Sequence, residues 1–213
     1  MIQLWGFSVF SGRNNSSISV IQRETKLENI HQNLNIMTTT TLTSIKKEFK
    51  LKPISKDGIE SAISKAEHYR LLNQPRLAES ICLDVLEVDA KNQKANIILL
   101  LALTDQFGQS HPSAPMHAQM IADNLQDEYS RLYYRGIIHE RQGNVALASS
   151  VPGSDFDAFE WYTEAMELYE EASLANKDSK NDDTSLRWNT CARIIMSGNL
   201  KERPRDEEGP ILE

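Results

Sequence analysis

An all-α fold is what the 213-residue sequence predicts, on three observations. From Asp57 onward apolar residues recur at three- and four-residue steps, the spacing that lines one face of a helix. The periodic segments come in pairs, separated by short polar or proline-bearing turns, which makes helical hairpins. The small and apolar positions of one pair then return in the next, so the hairpin is a repeated unit.

The first helix carries Ile59, Ala62, Ile63, Ala66, Tyr69 and Leu72 on one face. Asn73, Gln74 and Pro75 interrupt it, since proline removes an amide donor and restricts the residue before it. Leu77, Ala78, Ile81, Cys82, Val85 and Leu86 form a second amphipathic run that stops at the polar stretch 89–93. Asn96, Leu99, Leu100 and Leu103 open the second pair. Its other helix is expected to start near Pro115, with Ser113 as cap, and to carry Ala118, Ile121, Ala122 and Leu125. The third pair opens over 128–142 with Leu132, Gly136 and His139, and Gly143 is expected to end that helix. An insertion over about 145–157, containing Pro152, Gly153 and Ser154, precedes a helix rich in aromatics: Trp161, Tyr162, Ala165, Met166, Leu168, Tyr169 and Ala172. After a polar loop over 176–183, with Asp182 and Asp183 at the helix start, a last helix carries Trp188, Cys191, Ala192 and Ile195.

Ala62-x2-Lys65-Ala66-x2-Tyr69 followed by Ala78-x3-Cys82 resembles a tetratricopeptide repeat, whose pairs carry W-x2-L-G-x2-Y and then A-x3-F at a period of about 34 residues. Ala66 and Ala78 let two helix backbones approach closely, and Tyr69 fills the space beside them. Gly136 matches the family's glycine, Ala165-x3-Tyr169-x2-Ala172 its second helix, and Trp188-x2-Cys191-Ala192-x2-Ile195 its first helix with the tryptophan present. The first pair departs from the pattern at the tryptophan place (Ala62) and the proline place (Ala90). The resemblance implies a short right-handed α-solenoid of antiparallel helix pairs, about three and a half repeats long, over residues 57–198. A poorly structured segment (1–56) would precede it and a charged, disordered tail (199–213) would follow.

In that family the first helix of each pair lines a concave groove. By motif, the groove here is expected to present Ile63, Glu67 and Arg70, then Ile97 and Leu101, then Tyr133, Ile137 and Glu140, and finally Asn189 and Arg193. Ile97, Leu101, Tyr133 and Ile137 would form an apolar middle, a common sign of a binding surface; the other reading has the chain's own insertion or tail covering it. Some co-chaperone members grip terminal carboxylates with lysines and asparagines in this groove. The corresponding places hold Ile63, Glu67, Ile98, Ser130 and Tyr134, which cannot make that clamp. The expected partner is a helix or extended segment with apolar anchors, and the expected role is a non-catalytic adaptor, scaffold or assembly factor. The alternative is a structural subunit of a complex, or a homodimer joined through Ile194, Ile195 and Met196 at the uncapped end.

The formal net charge is −7. Over 155–183 the only bases are Lys177 and Lys180, so that surface repels phosphate backbones and argues against nucleic acid. It would attract a basic partner. The longest apolar run, near Ile97 to Leu103, is too short to span a membrane. Cys82 and Cys191 lie among apolar helical residues and read as small hydrophobes in a reducing cytoplasm. Leu4 to Phe10 makes a poor signal peptide. Met37 opens a segment that reads like an initiator, so the first 36 residues are either a mis-assigned start or a disordered tail.

No catalytic, cofactor or metal site is expected. The histidines His31, His68, His111, His117 and His139 show no zinc-type spacing, and His139 sits where packing explains it. Asp155, Asp157 and Glu160 lack the glycine and terminal glutamate of a calcium loop. Phosphate-cradling glycine motifs and nucleophile elbows are absent.

Overall fold

Seven helices and no strand make up the residues that the computed structural model describes, 49–109 and 111–204. The expectations for residues 1–48 and 205–213, including the start at Met37, lie outside the described residues. The chain divides into two units, Met1–Lys52 and Pro53–Glu213, and the helices all belong to the second.

A single 3-10 turn, Lys56–Gly58, leads into α1 (Ile59–Leu71). The helix ends in a Schellman motif: Asn73 is left-handed at φ 55°, and the Gln74 N–H reaches back to the Tyr69 carbonyl at 2.9 Å. Asparagine tolerates that conformation better than other side chains. Pro75 then occupies the first position of α2 (Pro75–Val88), where its missing N–H costs nothing. Asn92 caps α3 (Gln93–Thr104) by accepting the Ala95 N–H at 3.0 Å.

α4 runs from Ala114 to Asp123. Ser113 precedes it but makes no capping bond; its hydroxyl instead lies 3.5 Å from His111 Nδ1. α5 (Glu128–Leu147) starts under an Asp127 cap to the Ser130 N–H at 2.8 Å. α6 (Ser154–Ala175) and α7 (Asp183–Gly198) complete the set. α7 ends in a second Schellman motif on Asn199, φ 48°, with the Leu200 N–H on the Ile195 carbonyl.

Two expectations change here. Gly143 does not end α5, which continues to Leu147. The insertion expected over 145–157 shrinks to a short connection, because α6 already starts at Ser154 behind the left-handed Gly153 (φ 86°). Both follow from the way α5 packs on α6. A Cβ at Gly143 would sit 2.9 Å from the Tyr162 ring, and one at Gly136 would sit 2.5 Å from the Tyr169 ring. The two glycines are therefore sockets for two tyrosines of an antiparallel neighbour. The cost of glycine in a helix interior, about 1 kcal/mol each, is offset by the burial of two aromatic rings.

Consecutive helices pack on one another throughout, and α1 also meets α3 as α3 meets α5. Alanines buried to 0% exposure mark the contacts: Ala66, Ala78, Ala95, Ala118, Ala122 and Ala165. Such positions set the close approach, and enlarging one costs about 1–3 kcal/mol by overpacking. The core has two parts. One joins α1 to α4 and receives Ile138. The other is built from Ile137, Ala158, Tyr162, Ala165, Tyr169 and Cys191. Leu101 and Tyr134 pack against both.

Candidate functional site

The ten residues expected along the groove separate by burial. Ile63 and Ile137 are 1% exposed and belong to the two cores, and Glu140 is 4% exposed. These three are interior residues, so the expected patch of Ile97, Leu101, Tyr133 and Ile137 does not lie open as a whole. The cause is that α1 touches α3 besides its hairpin partner, while Ile137 packs into the core completed by α6 and α7 and Glu140 is held by Tyr169 and Arg187 from the same two helices. Glu67, Arg70, Ile97, Leu101 and Tyr133 are partly exposed, and Asn189 and Arg193 on α7 are exposed. Glu67 lies 3.4 Å from the Lys94 ammonium.

Around Tyr133, α5, α6 and α7 form an aromatic and ionic junction. Tyr133 stacks on Tyr129 at 5.6 Å and 8°, and meets Tyr134 edge-on at 5.2 Å. The Tyr169 hydroxyl donates to one Glu140 oxygen at 2.8 Å, and Arg187 of α7 donates to the other at 2.9 Å. Burial, with Glu140 second, keeps the Tyr169 phenol protonated far above the usual range. Burial opposes the Arg187 charge, but the Glu140 carboxylate and the Tyr133 hydroxyl outweigh it, and the pKa stands above the ordinary arginine value. Glu140 is thus a satisfied buried anion rather than a group offered to a ligand.

A second polar feature is open. Where α1 and α3 end beside α5, a cleft of about 510 Å³ is lined by Arg70, Asn73, Asp105, Arg141 and Asn144, with Leu71 at its edge. Arg70 Nε donates to Asp105 Oδ2 at 2.7 Å, while Arg141 Nη2 stands 3.7 Å from Asp105 Oδ1. Arg141 Nε is buried and has no hydrogen-bond acceptor among the described residues. The Asn144 carbonyl accepts from the Tyr162 hydroxyl at 2.7 Å, which leaves its amide NH2 as a donor.

Sequence reasoning missed both features. Arg187 and Glu140 are 47 residues apart, and Arg70 and Asp105 are 35 apart, so no local spacing rule links them. One signal was present: Glu140 continues the apolar line of Gly136 and Ile137, and a carboxylate there demands a partner.

The remaining chemistry-bearing residues are occupied locally. His139 Nδ1 lies 2.9 Å from Glu164 and its ring meets Trp161 edge-on. Burial holds its pKa below the ordinary value although Glu164 opposes this. Asp157 and Glu160 both pair with Arg203. Among the described residues no three His, Cys, Asp or Glu side chains gather as a metal site, and no helix is long and apolar enough to cross a membrane. Compared with protein-family models, with curated proteins and with solved structures, the chain matches none.

Proposed function

We propose that this chain is a non-catalytic protein-interaction module, an adaptor or assembly factor built from degenerate tetratricopeptide-like repeats, that holds a partner segment against its odd-numbered helices. The observation that carries the reading is the lateral linkage of those helices. Arg70 of α1 and Arg141 of α5 meet on Asp105 at the end of α3, and Arg187 of α7 meets Glu140 of α5. Linkage of first helix to first helix supports the solenoid reading. The face so built carries Glu67, Arg70, Ile97 and Tyr133, with Asn189 and Arg193 at its far end. Ile97 is half-buried yet packs against neither core, which suits it to contact with another chain. Two unpaired, buried cysteines fit a reducing cytoplasm.

Affinity capture from the native cell extract tests this. The bait with Ile97→Glu and Arg193→Glu is expected to lose a partner that wild type retains. A bait with Leu83→Glu and Met120→Glu, on exposed positions of α2 and α4, is expected to keep it. Equal capture by both variants would move the binding surface off the odd helices.

One observation favours a second reading, self-association. On α7, Leu186 and Met196 are 62% and 71% exposed, and Ile194 and Met196 line an open apolar hollow. A mass from light scattering that stays monomeric over a wide concentration range would exclude it.

A further inference from the structure

The chain is acidic overall, yet the cleft between the ends of α1 and α3 and the flank of α5 presents two guanidiniums against a single carboxylate. Arg70 satisfies Asp105 through Nε. Arg141 makes only a long ion pair to it, at 3.7 Å, and its Nε is buried without an acceptor. A buried donor left unpaired costs free energy unless something supplies the acceptor. Asn144 has donor capacity to spare, and Asn73 is fixed in the left-handed region at the cleft wall. Leu71, 84% exposed, adds an apolar edge. The volume of about 510 Å³ is in the range of small binding sites.

We infer that this cleft anchors an acidic side chain of the partner segment, whose neighbouring apolar side chain lies on Leu71. The inference rests on the odd-helix face being the binding face. A carboxylate matches the planar fork of the Arg141 guanidinium, on a side chain about one-third exposed that lines the cleft, since guanidinium and carboxylate pair bidentately. It also matches the charge: with Asp105 in place, two guanidiniums call for one further negative charge, whereas a phosphate dianion would exceed it. A basic segment is repelled here.

The test uses the full chain and a blocked Gly-Glu-Leu-Gly tetrapeptide, followed by NMR of the backbone amides and arginine Nε–H groups. Saturable shifts are expected at Asn73, Arg141 and Asn144, with a Kd on the order of 1 mM. The Gly-Gln-Leu-Gly peptide is expected to bind at least about tenfold more weakly. Arg141→Gln should abolish the response and Arg141→Lys should retain part of it. Arg135→Gln should leave it intact, because Arg135 faces Asp123 and is outside the cleft. Equal binding of both peptides, a response to inorganic phosphate alone, or no saturable shift at the three residues would each overturn the assignment. Such a failure, with partner capture still lost in the Ile97→Glu, Arg193→Glu bait, would remove this anchor while leaving the interaction module standing.

Discussion

Glu140 shows how a single residue ties three helices together. Its carboxylate is nearly dry and is held by the Tyr169 hydroxyl from α6 and the Arg187 guanidinium from α7. Removing one member of a buried pair leaves the other uncompensated, at about 3–5 kcal/mol for full burial. The Arg187 side chain is 33% exposed, so Arg187→Met is expected to cost about 2–3 kcal/mol by urea denaturation. Glu140→Gln in the same chain should restore part of it, because no unpaired charge is then buried. A double mutant no more stable than Arg187→Met alone would contradict this account. Titration gives a second test at this scale. Burial pushes the Cys82 and Cys191 thiols from 9.0 up to about 12, and the Tyr134 and Tyr162 hydroxyls from 10.0 up to about 12. The unfolded chain releases these protons near their ordinary values, so above pH 9 it binds fewer protons than the folded chain and stability falls. That contribution is whole below pH 9 and is lost progressively between about 9 and 12. Thermal melts should therefore hold steady to about pH 9 and decline beyond it.

At the scale of elements the α5–α6 hairpin is the most demanding, because it is keyed by glycine sockets. Alanine normally stabilises a helix over glycine by about 1 kcal/mol. At Gly136 the added Cβ would stand 2.5 Å and 2.8 Å from two carbons of the Tyr169 ring, a ring also held by Glu140. Overpacking costs about 1–3 kcal/mol, so Gly136→Ala is expected to destabilise by about 1–2 kcal/mol, reversing the usual sign. An increase in the thermal midpoint would show that the ring moves aside freely. The same hairpin marks how far the sequence could be read. Periodicity placed every helix, because the apolar stripe and the interruptions at Pro75, over 89–93 and over 176–183 are local signals. Gly143 read as a terminator because glycine commonly stops helices; its role as a socket depends on Tyr162, which comes from another helix. Ile63 and Ile137 read as groove residues for a related reason. A helix's own pattern names its apolar face but not how many neighbours cover it.

For the whole molecule the question is how cooperatively the two cores fold. In a chain of stacked helix pairs each unit feels mainly its neighbours, so stability need not be uniform along it. The core around α1–α4 and the core around α5–α7 share few residues: Leu101 of α3 and Tyr134 of α5 pack against both. Leu101 is therefore a mechanical joint as well as a partly exposed residue of the proposed face. Truncating it to alanine removes packing from both sides, at about 2 kcal/mol, the low end for leucine because the site is not fully buried. The distribution of that loss is more telling than its size. In wild type, amide exchange in α2 and α6 should be limited by a common opening. In Leu101→Ala the two are expected to separate, with α1–α4 exchanging through an opening that leaves α5–α7 protected by the Glu140 junction and the tyrosine sockets. Uniform loss of protection across all seven helices would mean that the interface between α3 and α5 does not depend on this side chain. Separation would locate the joint in the middle of the odd-helix face, where a segment bound along that face would bridge both halves and stiffen the molecule.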